Sequence, residues 1–239
     1  MKNGQRALRP IGPPSPLKVE KKNDSGGNVD QWYGEYWGQT WYKNSFLVRR
    51  PEQIAQARGH DREWNNIHDS GCNFTCLAMM VGVDPARLSS AMAALSFFFS
   101  DRTIPARYLT GRTGGLVWDQ NEPYSRIKKV VMDNFWHSKL GRRTKITIQF
   151  KGETTTADYP KGKQVVIDAR GKGHHIICGS EEHSYLVAGS KGEDFFLWDP
   201  DDSKMPIEEI LAGRVTLRHL FEEYAGEQIE FLKYRIDIS

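Results

Sequence analysis

Cysteine is scarce in this chain, with three in 239 residues. Three thiols cannot all pair within one molecule, and the count is far below that of a small disulfide-held scaffold, so at least one thiol is free. Long apolar runs are missing as well. None approaches the roughly 20 residues that span a bilayer, so no membrane insertion is expected. The first 27 residues lack the apolar centre of a secretory signal. The expectation is cytoplasmic synthesis without a signal peptide, which leaves room for secretion, or delivery into a target cell, by a dedicated machine. Nor does one sign of charge dominate: 33 Lys and Arg are offset by 30 Asp and Glu, a net of +3, and no nucleic-acid partner is read from so mild a balance. Cys72 and Cys76 have the spacing of a ligand pair but no second tight pair to complete a zinc site, so no metal and no cofactor are expected. There is no internal repeat.

The chain is long enough to bury a sizeable core. Residues 1–29 are rich in Pro, Lys, Asn and Gly, and Pro13-Pro14-Ser15-Pro16 forbids a regular helix, which reads as a flexible tail or linker. Residues 30–59 form an aromatic-rich arm with Trp32, Tyr33, Tyr36, Trp37, Trp41 and Tyr42, in which Tyr33, Trp37 and Trp41 share one face of a helix. The expected role of that face is to pack the arm onto the main domain; a stacking surface beside a substrate groove is the other reading.

The main domain, residues 60–239, begins with helical patterns. Pro51–Ala57 opens a short helix ahead of it, Asn73–Val83 is nearly all apolar and belongs in a core, and Asp84-Pro85 caps another helix carrying Leu88, Met92 and Leu95. Gly111–Gly115 is a break, and Tyr124–Asn134 is expected as an amphipathic helix through Ile127, Val130 and Val131. From Lys145 the period becomes that of strands, at 146–148, 165–167, 175–177, 185–187 and 195–197. Turns are expected at Lys151-Gly152, Lys161-Gly162 and Lys191-Gly192. Residues 206–211 and 217–224 follow as helices and 229–236 as a last strand. Helices first and an antiparallel sheet second make an α+β fold.

The chemistry-bearing stretch is Asn66-Ile67-His68-Asp69-Ser70-Gly71-Cys72-Asn73-Phe74-Thr75-Cys76, where a polar loop becomes an apolar helix. A thiol at a helix start sees the positive end of the dipole and unpaired backbone N–H groups, which favours thiolate. The Cys72 N–H together with a side-chain amide can also hold the oxyanion formed on an attacked carbonyl. Asn66 carries such an amide, and Asn73 is the nearer alternative. The thiol needs an imidazole, and the imidazole an orienting partner. His183 opens one strand-like run and Asp199 closes the next, a separation that a hairpin turning at Gly189–Gly192 brings together. His174 and His175 also begin a strand and compete with His183. Cys76 and Cys178 read as buried structural cysteines.

The segment from Cys72 to Met80, with an amide residue six positions earlier, resembles the active-site segment of the bacteriocin-processing peptidases, papain-like enzymes that cleave leader peptides after a double glycine. His183–Ala188 and Trp198-Asp199-Pro200 are similar to that family's histidine strand and Asp-Pro strand, so the likeness covers roughly residues 60–202. It departs at Asn66, where the family has glutamine, and at Asn73, where it has glycine. The resemblance implies a papain-like fold, its nucleophile on a buried helix packed on the sheet. It implies a thiol peptidase in which Cys72 attacks, His183 carries the proton, Asp199 orients the imidazole and Asn66 helps bind the oxyanion. The expected partner is a protein or peptide substrate. Cell-wall amidases, endopeptidases and deamidases share the constellation, and a non-catalytic peptide-binding module shares the fold. A basic chain without a signal also suits a secreted antibacterial effector or toxin, whose cleft a cognate immunity protein would block.

Overall fold

A computed structural model describes residues 36–39, 67–88, 91, 129–137, 140–180 and 182–239. In chain order the elements are α1 (Ile67–Ser70), α2 (Cys72–Val81), β1 (Lys129–His137), β2 (Arg142–Thr156), α3 (Tyr159–Gly171), β3 (His175–Gly179), β4 (Ser184–Lys191), β5 (Asp194–Trp198), α4 (Ile207–Leu211), α5 (Leu217–Glu223) and β6 (Ile229–Ile238). The six strands form one sheet in the order β1-β2-β6-β3-β4-β5, with every neighbouring pair antiparallel. The fold is α+β. Among the described residues no helix is long and apolar enough to cross a membrane.

Alternation along the strands divides the apolar residues between two faces. On one face Ile146, Ile148, Ile177, Leu186, Ala188, Leu232 and Tyr234 pack with the wholly buried α2. On the other, Ile176, Cys178, Val187, Leu197, Ile229 and Phe231 pack with Val166 and Ala169 of α3 and Leu217, Leu220 and Phe221 of α5. A helix that is apolar all round belongs in an interior, which is why α2 needs further chain against its far side. Tyr36 and Trp37 join that same core.

Two expectations are overturned. Residues 129–134, read as part of a helix, are strand, because Val130 and Met132 alternate inward with period two and pair with Ile148 and Ile146. Residues 165–167, read as a strand, lie in α3. The helix starts where Asp158 accepts from the Lys161 N–H (3.1 Å) and a proline occupies its first turn, and Ile167 is left 45% exposed. Two expected turns fall with them. Lys161-Gly162 lies inside α3, where Gly162 abuts the Phe221 ring. Gly152, at φ 103°, serves a bulge within β2. The turn at Gly192 (φ 60°) stands. Asp84 caps residues 85–88, accepting from the Arg87 N–H at 3.0 Å. The shared helical face of Tyr33, Trp37 and Trp41 also fails where it can be seen: residues 36–38 are not helical, and the Gln39 N–H instead bonds across to the Pro200 carbonyl (2.7 Å). The tail, the rest of the arm, the helix at 51–57, Met92, Leu95 and the break at 111–115 lie outside the described residues.

Candidate active site

Cys72 is the first residue of α2. Its N-cap, Gly71, contributes no side-chain hydrogen bond to the helix start, so the first N–H groups face no competing capping group. Gly71 is required by packing: a Cβ there would stand 2.3 Å from the Ile67 carbonyl oxygen, so only glycine lets α1 run this tightly into α2.

A similar close approach sets the imidazole. The β3–β4 hairpin pairs Gly179 with Ser184, and a Cβ on Gly179 would fall 2.0 Å from the His183 carbonyl oxygen. The β4–β5 hairpin, pairing Leu186 with Trp198, then returns Asp199 to the beginning of β4. His183 Nε2 lies 2.6 Å from Asp199 Oδ1, both side chains being about nine-tenths buried. The same Oδ1 accepts the Asp201 N–H at 2.8 Å, and the Tyr185 ring meets the imidazole edge-on, 4.7 Å between centroids.

With Nε2 engaged by Asp199, the other ring nitrogen is left for the thiol, and the two groups shift each other's ionisation. Burial alone pushes the Cys72 thiol pKa up. The hydrogen bond and charge of His183, with the N–H and hydroxyl of Ser184, outweigh burial and bring it below the usual thiol value. Burial pulls His183 the other way, yet the bonds to Asp199 and Cys72 raise its pKa to about 10. The pair therefore favours thiolate and imidazolium. The three free cysteines differ sharply. Burial drives Cys76 well above the usual range and does the same to Cys178, while Cys76 Sγ donates to the Ser184 carbonyl at 3.7 Å. Cys72 is also the least enclosed, at 6% exposed against 0% and 1%.

His174 and His175 sit at the opposite end of β3 from the Gly179–His183 turn, about 13 Å away at the strand rise. Burial and the neighbouring Arg170 and His174 charges lower the His175 pKa to about 4, so it stays neutral. Trp198 is buried against Tyr36 and has a packing role. Among the described residues no group of three His, Cys, Asp or Glu side chains could hold a metal ion.

Asn66 lies outside the described residues. Its alternative, Asn73, is buried and reaches Ser184 Oγ at a long 3.5 Å, with Oδ1 unpartnered. Two participants escaped the reading of the sequence. Ser184 directly follows His183 and helps lower the Cys72 pKa, a place that strand alternation alone could have marked. Gln39 is buried, its Nε2 donating to the His68 carbonyl (2.9 Å) in α1 and its N–H to Pro200 (2.7 Å), so it bridges the helix leading into Cys72 and the turn carrying Asp199. No local signal ties Gln39 to a cysteine 33 positions later.

In comparisons with known proteins, no family model matches the chain, and neither a curated protein nor a solved structure matches it.

Proposed function

We propose that this chain is a papain-like cysteine peptidase with Cys72, His183 and Asp199 as its catalytic triad. The observation that carries the reading is the buried His183–Asp199 pair, Nε2 2.6 Å from Oδ1, beside a Cys72 that opens a helix and whose pKa the imidazole lowers. The Cys72 thiolate attacks a carbonyl carbon, and the displaced electron pair forms an oxyanion. The Cys72 N–H and a side-chain amide hold that charge, with Asn66 and Asn73 as the two candidates for the amide. His183, kept charged by Asp199, gives its proton to the departing amine. In the second half it takes a proton from water, which attacks the thioester and restores the thiol.

Placing the wild-type chain and Cys72→Ala in bacterial cytosol and periplasm, with mass spectrometry of new peptide termini, tests this. New termini that depend on Cys72 support a peptidase. Toxicity in the periplasm, accompanied by cleaved wall fragments, would point to the amidase or endopeptidase reading, and a unit mass gain on glutamine or asparagine side chains to deamidation. If Cys72→Ala matches wild type in every readout, the catalytic reading falls and a peptide-binding module takes its place.

A further inference from the structure

The turn holding Asp199 is gripped from behind by a segment distant in sequence. Tyr36 is 1% exposed. Its hydroxyl donates to the Asp199 backbone carbonyl over 2.6 Å, and its ring meets Trp198 edge-on, 5.9 Å between centroids at 80°. Burial first, then the carboxylates of Asp202 and Asp199, push the phenol pKa upward, so the hydroxyl remains a donor at any working pH. Gly38 lies so close to Asp202 that a Cβ would stand 2.7 Å from its carboxyl group. Residues 36–39 are thus fastened to both flanks of Asp199 and, through Gln39, to α1.

Asp199 Oδ1 serves two donors, His183 Nε2 at 2.6 Å and the Asp201 N–H at 2.8 Å. Where that oxygen stands therefore depends on the backbone of the 199–201 turn. Tyr36 anchors the carbonyl of the same residue whose carboxylate steers the imidazole. An ångström of drift in a group that orients a base is enough to lower a rate by about two orders of magnitude.

We propose that Tyr36 is a positioning residue of this site, its hydroxyl fixing the Asp199 peptide so that the carboxylate holds the His183 ring toward Cys72. The inference rests on the triad reading given above. It makes the strap at residues 36–39 a working part of the site as well as a piece of the core.

Tyr36→Phe tests it, because the ring and its contact with Trp198 remain and the hydroxyl alone is lost. The control is Tyr159→Phe, which removes a hydroxyl bond to Asp194 (2.9 Å) on the other side of the sheet. The readouts are the iodoacetamide alkylation rate of Cys72 across pH and the thermal midpoint. Tyr36→Phe should move the acid limb of the alkylation profile to higher pH and slow alkylation at pH 6 by about tenfold. Tyr159→Phe should lower the midpoint comparably while keeping the wild-type profile. A wild-type profile in Tyr36→Phe would overturn the positioning role and leave the triad standing. A wild-type Cys72 no more reactive than Cys178 would overturn the triad and, with it, this inference.

Discussion

The Cys72–His183 pair is where a single proton decides the chemistry. The His183 pKa is raised to about 10, so its contribution to folding is complete below the unfolded imidazole value near 6.5 and is lost as pH rises through about 10. The Cys72 value is lowered, so its contribution is present above the unfolded thiol value and is lost as pH falls through the folded one. Between these limits the ion pair persists. Turnover should rise as Cys72 ionises and fall again through about pH 10, when His183 no longer has a proton for the leaving amine. Iodoacetamide at neutral pH should label Cys72 ahead of Cys76 and Cys178, and Cys76→Ser should keep most activity; first labelling of Cys178 would refute this. His183→Ala should lower turnover by about 10³ or more and Asp199→Asn by somewhat less. For the oxyanion, whichever of Asn66→Ala and Asn73→Ala removes the donor should cost about 10² to 10³ in turnover with little change in KM.

At the scale of elements the site is two hairpins delivered to the end of a helix, and both depend on glycines with different tasks. Gly179 faces the His183 carbonyl at closest approach, so Gly179→Ala should force the β3–β4 turn open and cost both stability, by about 2–4 kcal/mol, and alkylation rate. Gly192 only supplies a left-handed turn, with nothing near its missing Cβ. Gly192→Ala should cost about 1–2 kcal/mol and leave the Cys72 pH profile unchanged; chemical denaturation beside alkylation separates the two. These hairpins were legible because alternation, a Lys-Gly turn and the Asp-Pro step are local signals. The helix that begins at Cys72 was legible because an unbroken apolar run follows a polar approach. The strand at 129–134 was not, since Ile127, Val130 and Val131 fit a helical spacing and only pairing with β2 decides for strand. The helix at 159–171 hid behind Val165-Val166-Ile167, whose strand-like composition is overridden by the Asp158 cap and the contact of Val166 with the second core. Tyr36 and Gln39 could not be assigned to the site, because their partners are remote in sequence.

At the scale of the whole molecule, one sheet separates two cores, and the helix that begins at Cys72 lies in one of them. Leu220 lies fully buried in the other, between α5 and the sheet. Leu220→Ala should therefore destabilise the fold by about 2–5 kcal/mol without moving the pH profile of Cys72 alkylation, as calorimetry and kinetics together would reveal. The strand order β1-β2-β6-β3-β4-β5 has a further consequence, for synthesis. The last strand made, β6, is inserted in the middle, and among the described strands it alone joins the β1–β2 pair to the β3–β4–β5 meander. A ribosome that has already extended the chain past Cys72, His183 and Asp199 has therefore made the reactive groups but not the strand that unites their supports. Nascent or prematurely terminated chains ending before Ile229 should lack the enhanced reactivity of Cys72, which should appear only once the last strand has left the exit tunnel and closed the sheet.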